Sequence, residues 1–427
     1  MGKRLLFIIM TFAFGAFAGA FAWTFFFLMN VGITLLWEVT PRTLAALGLP
    51  AVVYPLVFCT LGGLCIGLFA KRFGPYPADM NTVMAQVKKS GRYDYDHLGT
   101  SFFGALLPLL FGGSIGPEAG LTGVIAGLCT WVGDRLRFVG SEMRELAEAG
   151  TAAVISAIFT APLFGMAVPL VGAADESGSV RSVSEVRLGV PKGAKIAVYL
   201  LAVAGALGTM MLLGHLFGAN GGLPRFEHLT LGVRELAWGI PFALIGTVAG
   251  WLFFPFGAAA RFLSEKLSGH LVIKPVIAGV VLGAIGIGLP FALFAGETQS
   301  EQLTGTWTTY GAGILLLTGV AKVFTTQFCL NMGWRGGHFF PLIFAGVSLG
   351  YGLALLTGAD PGFSLCAVTG ALMGAVMRQP IMTVLLLFLV FPLDGAFVLL
   401  VAAALGSLVP VPRSWEVQDE PQEPEHT

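Results

Sequence analysis

Charge is what this sequence has least of. Only 11% of its 427 residues are Asp, Glu, Lys or Arg, and the 24 basic and 24 acidic side chains cancel. That is about half the charged fraction of a soluble domain, and a net charge of zero lacks the basic footprint of nucleic-acid binding. Cysteine is also scarce. Cys59, Cys65, Cys129, Cys329 and Cys366 all sit in apolar segments, none at metal-ligand or redox spacing, so they read as small hydrophobes. No P-loop, zinc signature or nucleophile elbow occurs, and the six histidines supply no convincing base beside a nucleophile. No metal, cofactor or nucleotide is expected, and an enzyme or an inert membrane scaffold is a minor alternative.

What is present is apolar: 56% of the residues are hydrophobic, 59 are glycine and the mean hydropathy is +0.82. Glycine is common in membrane helices because it lets backbones approach closely. The charges cluster at Lys3 and Arg4, Lys71 and Arg72, Lys88 to Arg92, Arg135 to Glu148, and in an acidic tail after Trp415. The uncharged run from Leu5 to Trp37 is about twice the length of a signal peptide's apolar core, so it reads as a long first membrane helix.

Apolar segments fall near 5–37, 49–70, 97–111, 117–133, 149–171, 195–217, 235–262, 272–295, 309–330, 340–356, 362–376 and 380–410. Several are shorter than the ~20 helical residues a bilayer core requires. Short segments interrupted by Gly and Pro predict broken helices, whose free backbone groups must face protein or a water-filled cavity. That is a transport architecture. The polar stretch 172–192 reads as a linker, and 218–234 divides the chain into repeats of about 1–217 and 235–410. Together they form one transmembrane domain over 1–410, followed by a short polar tail, 411–427, expected in the cytoplasm. The layout suits an inverted repeat with its binding site between the halves.

Each half carries a glycine-rich turn opening a helix: Gly112-Gly113-Ser114-Ile115-Gly116-Pro117-Glu118-Ala119-Gly120, and Trp334-Arg335-Gly336-Gly337-His338-Phe339-Phe340-Pro341. Proline suits the first helical position. A helix N-terminus presents unpaired N–H groups and about half a positive charge, so it accepts an anion without a cationic side chain. A third candidate is Phe73-Gly74-Pro75-Tyr76-Pro77. The expected anion-binding residues are Gly74, Pro75, Tyr76, Ser114, Ile115, Gly116, Gly337, His338 and Phe339.

The segment Ala321-Lys322-Val323-Phe324-Thr325-Thr326-Gln327-Phe328-Cys329, followed by Gly336-Gly337-His338-Phe339-Phe340-Pro341, resembles the helix and Gly-x-Phe-x-Pro anion loop of the chloride channel/transporter (CLC) family. Gly113-Ser114-Ile115-Gly116-Pro117 is similar to that family's Gly-(Lys/Arg)-Glu-Gly-Pro. Thr160-Ala161-Pro162-Leu163-Phe164-Gly165 resembles its Asn-Ala-Pro-Leu-Ala-Gly, and Arg378-Gln379-Pro380 its Arg-Ala-Pro. The resemblance spans nearly the whole chain. It implies an all-α polytopic membrane protein with the CLC-type inverted repeat and broken helices, assembled as a homodimer with one pore per subunit.

In this register the family's gating glutamate falls at Ile115, which cannot ionise, and its internal proton-transfer glutamate falls at Gly172. An uncoupled pathway for chloride or another small anion is therefore expected. The family's chloride-binding serine falls at Gly74 and its inner-gate tyrosine has no counterpart, which leaves fluoride, nitrate and bicarbonate open. Glu118 is either a first-turn carboxylate favoured by the helix dipole by about 0.3–1 kcal/mol, or a relocated gate and proton carrier. His338 is either a neutral, hydrogen-bonded imidazole or a pH-sensing one. A proton-coupled antiporter using Glu118 or His338 is the alternative function. Lys322 needs a partner that sequence does not reveal, and Glu297, Gln299 and Glu301 read as caps of a short helix. A prokaryotic inner membrane is the expected location, with lipid as the surrounding partner.

Overall fold

The computed structural model describes residues 2–48, 51–90, 92–135, 141–171, 192–218, 223–226, 229–408 and 410. The expected linker 172–192, save Lys192, and the tail 411–427 lie outside the described residues, as does Gly172.

Eighteen α-helices are described. The first half contains α1 (Gly2–Ile33), α2 (Thr40–Ala46), α3 (Tyr54–Phe73), α4 (Met80–Ser90), α5 (Leu98–Leu110), α6 (Glu118–Arg135), α7 (Ser141–Phe159), α8 (Pro162–Val171) and α9 (Lys192–Phe217). The second contains α10 (Val233–Trp251), α11 (Phe253–Lys266), α12 (Ile273–Gly288), α13 (Glu297–Thr306), α14 (Ala312–Asn331), α15 (Phe339–Thr357), α16 (Pro361–Met377), α17 (Pro380–Leu387) and α18 (Ala396–Leu408).

Six spans among the described residues are long and apolar enough to cross a membrane, and five further apolar helices are shorter. The breaks follow the sequence chemistry. The apolar stretch 149–171 divides at Thr160-Ala161, where Thr160 takes a positive φ of 52° and Pro162 opens α8. The stretch 380–410 divides at Pro392, which precedes a short turn and then α18. Asp360 starts α16 by accepting the Phe363 N–H at 2.9 Å, with Pro361 next in line. The first helix is longer than expected: α1 continues through a π-helical turn, Thr34–Val39, into α2.

Small residues bring the helices together. A Cβ on Gly15 of α1 would lie 2.0 Å from the Ala202 carbonyl oxygen, and one on Gly19 would lie 2.2 Å from that of Ala206. Gly15 and Gly19 therefore face Ala202 and Ala206 across α1 and α9 in small-xxx-small register, the packing available to helices that lack a hydrophobic drive in lipid. At the centre, α15 and α16 are buried over most of their lengths. The helix that carries the second glycine turn is thus wrapped in protein.

Candidate functional site: an anion seat between the halves

The two glycine turns meet. The Gly116 N–H donates to the Gly337 carbonyl at 2.8 Å, and the Gly337 N–H returns a 2.8 Å bond to the Gly116 carbonyl. This reciprocal pair joins the turn between α5 and α6 to the turn between α14 and α15. Sequence placed both glycines at helix starts; the structure shows them spending these N–H groups on one another.

Glu118 lies over that pair. Its side chain is fully buried, and Oε1 accepts the Phe339 N–H at 2.8 Å. A Cβ on Gly116 would fall 1.8 Å from Glu118 Oε2, and one on Gly337 would fall 2.0 Å from Glu118 Cδ. Both positions are glycine because the carboxylate fills the space above them. The other oxygen, Oε2, has no hydrogen-bond partner. The carboxylate thus sits at the N-terminus of α15, where bare N–H groups and the helix dipole favour a negative charge.

The other expected site residues divide. Phe339 supplies a donor to the seat. Ser114 turns its hydroxyl to α14, accepting from Thr325 Oγ1 at 2.9 Å and lying 3.2 Å from Thr326 Oγ1, so this hydroxyl is a tie between the halves. Ile115 is fully buried, and its Cδ1 would lie 2.6 Å from a Cβ on Gly336. It packs against the second turn, and the carboxylate at the donors comes from position 118. His338 is the residue before α15; its imidazole lies against the rings of Phe253 (5.3 Å) and Phe339 (4.6 Å).

The third turn differs from expectation. Gly74 ends α3 with a φ of 95°, and α4 begins only at Met80. Asp79 accepts the Thr82 N–H at 2.9 Å, so a carboxylate already caps that helix start. The Tyr76 ring stacks on His97 at 4.6 Å, and its carbonyl oxygen would lie 2.5 Å from a Cβ on Gly104 of α5. Gly74, Pro75 and Tyr76 therefore form a turn flanking α5 and the start of α6, and the next helix begins only after them, at Met80.

Three features go beyond what the sequence reading assigned. Phe159 stacks on Phe340 at 5.0 Å and meets Phe339 edge-on at 5.7 Å, with Phe164 6.3 Å from Phe339. These rings make an apolar wall beside the seat, and the one available signal was their place at the Thr160–Gly165 motif. Lys322 is fully buried and finds backbone partners, the carbonyls of Leu293 (2.8 Å), Phe294 (2.6 Å), Ala292 (3.3 Å) and Phe291 (3.4 Å). That segment is fixed to the first glycine turn by the Phe294 N–H, which donates to the Gly112 carbonyl at 2.9 Å. The third is Glu297, buried at the start of α13.

A broken-helix membrane protein whose two glycine turns meet at a helix N-terminus has the features the resemblance implied. The family profile described as voltage gated chloride channel matches residues 62–410. The chain belongs to the CLC family. As a CLC protein it is an integral membrane protein of anion transport and not an enzyme. It is 29% identical over 357 residues to a putative ion-transport protein YfeO of Escherichia fergusonii, covering 81% of this chain and 77% of that one. It is 28% identical over 325 residues to the Salmonella typhimurium protein of the same description, covering 74% and 72%. Two solved CLC structures share the fold at 18% identity. A CLC-type fluoride/proton antiporter gives a TM-score of 0.72, covering 96% of each chain. A slow cyanobacterial Cl-/H+ antiporter gives 0.75, covering 94% of this chain and 93% of that one.

Proposed function

We propose that this CLC protein exchanges small anions for protons across a bacterial plasma membrane, with Glu118 as both gate and proton carrier. The observation that carries this reading is the 2.8 Å bond from the Phe339 N–H to Glu118 Oε1. An ionised carboxylate there occupies the donors a transported anion would use. Protonation removes its charge and weakens its hold on those donors, so an anion can take its place. Anion and proton binding are then linked, and a cycle that exchanges one for the other follows.

A shifted motif register is compatible with the same assignment, although it keeps only the first glycine and the glutamate. Sliding the Gly-(Lys/Arg)-Glu-Gly-Pro match by three residues sets Gly116 at its first glycine and Glu118 at its glutamate, with Pro117 in the basic position and Ala119-Gly120 ending it. The uncoupled pathway rested on Ile115 holding the glutamate position, and it loses that support. Chloride and fluoride are the first candidate anions, since each is named with protons in the description of a solved structure that shares the fold. An assembly of two subunits, each with its own pathway built from two inverted halves, completes the proposal.

The test is anion efflux from proteoliposomes, with valinomycin clamping the voltage and a pH electrode recording protons. Exchange requires that an anion gradient alone drive protons uphill in the opposite direction. Voltage-driven anion release with no proton movement would overturn it and return the uncoupled pathway.

A further inference from the structure

Glu297 is the first residue of α13, and its side chain is only 8% exposed. Capping does not explain it. The work expected of it at the helix start is done by Gln299, whose Oε1 accepts the Gly296 N–H at 3.1 Å. The Oε2 of Glu297 is buried with no hydrogen-bond partner, the same condition as Oε2 of Glu118. A buried carboxylate oxygen left unpaired costs free energy, so its retention suggests a use.

The position of α13 suggests which use. A Cβ on Gly296 would lie 2.5 Å from Phe344 Cβ and 3.4 Å from the Phe340 carbonyl oxygen. The start of α13 thus rests on the first turns of α15, the helix whose Phe339 N–H holds Glu118. The two carboxylates are close enough to interact electrostatically. The nearby ammonium is spoken for: Lys322 has three donor hydrogens and four backbone carbonyls within 3.4 Å. From α15, the Tyr351 hydroxyl is 3.3 Å from Thr304 Oγ1 further along α13, and the His338 ring lies against Phe253 and Phe339. Two ionised carboxylates in this buried setting would repel with no cation shared between them, whereas one proton between them relieves the repulsion.

We propose that Glu297 is the second proton-carrying group of the pathway, exchanging a proton with Glu118. The proton leaves the Glu297 carboxyl oxygen and binds a Glu118 oxygen, directly or through water, and the negative charge moves the opposite way, so the net charge of the pair is unchanged. Neutral Glu118 then leaves the α15 donors to an anion, and the ionised Glu297 is reprotonated from the other side. This rests on the exchange reading of Glu118. It adds a route for protons that does not need an acidic residue at position 172.

The experiment compares wild type with Glu297→Gln and Glu297→Ala in proteoliposomes, using chloride and fluoride as probes and recording anion and proton fluxes together. Two variants are used so that a folding defect in one does not decide the result, and Glu297→Asp serves as the conservative rescue. The expected result is that proton flux falls by roughly tenfold or more in the Gln and Ala variants while anion flux stays of the same order, with coupling recovered in the Asp variant. A purely structural role would lower both fluxes together and leave their ratio intact, which would overturn the relay. A wild type that couples and variants that couple at the same ratio would overturn the relay alone. A wild type that moves anions without protons would overturn both the relay and the exchange reading.

Discussion

The Glu118 carboxylate and the Phe339 backbone N–H, 221 residues apart in sequence, meet at 2.8 Å. One is the first residue of α6 and the other the first residue of α15, so the bond joins the helix starts of the two halves. A carboxyl group supplied by the protein therefore lies at the N-terminus of α15, the kind of position that favours a negative charge.

Glu118→Gln tests that occupancy. The amide keeps the volume and loses the charge, so we expect anion flux to persist and proton flux to disappear. The wild-type anion rate should rise as pH falls, because protonation removes the competing charge, and the variant should lose that dependence. Paired anion and pH electrodes over a pH series check it. Unchanged proton coupling in the variant would refute the assignment.

Gly337→Ala should disturb the seat through sterics alone. The new methyl would fall 2.0 Å from Glu118 Cδ, and overpacking of this kind costs about 1–3 kcal/mol. We expect lower thermal stability and impaired exchange. The double variant Gly337→Ala with Glu118→Ala removes the collision and should recover much of the stability, though not the coupling. A thermal unfolding series in detergent shows whether the two changes are non-additive, as contact requires.

Lys322→Met leaves the carbonyls of Phe291 to Phe294 without their donor. Each buried acceptor left unpaired costs about 1–3 kcal/mol, so the loss should be among the larger single-site effects in the chain. Thermal stability of the purified protein is the readout. A shift no larger than that of a substitution at an exposed position such as Leu244→Met would contradict the clamp.

Ile115→Glu discriminates between the two motif registers. With Ile115 at the family's glutamate position, the variant would gain a pH-dependent gate. In the structure its side chain is enclosed against Gly336, so a glutamate there buries a charge with no donor, a cost of several kcal/mol (~2–7 kcal/mol even for a neutral polar group). We expect poor folding, or a pH profile in the folded fraction that matches wild type. A new acid-dependent step in flux would restore the original register.

The helical membrane architecture and the two glycine turns were legible from residue type. Long uncharged runs report a bilayer, and Gly before Pro reports a helix start. That a carboxylate at position 118 would reach the α15 donors was not legible, because the Gly113 to Pro117 match draws attention to Ile115 and the approach of Glu118 to Phe339 is a contact between distant residues. The partner of Lys322 could not be read either. Four backbone carbonyls have no side-chain signature, and the turn that supplies them follows from α12 ending at Gly288. Glu297 resembled an ordinary cap because its isolation depends on Gln299 taking the Gly296 N–H.

The sequence by itself determined that this chain crosses a membrane by broken helices and that those helices begin at glycine-rich turns, since both follow from local hydrophobicity and local backbone freedom. Only the tertiary structure decided that Gly116 pairs with Gly337, that Glu118 accepts the Phe339 N–H, and that the start of α13, where Glu297 lies, rests on α15. Those are contacts between residues far apart in the chain, fixed by how α6, α13 and α15 pack, and no local pattern encodes which buried group lies against which helix end.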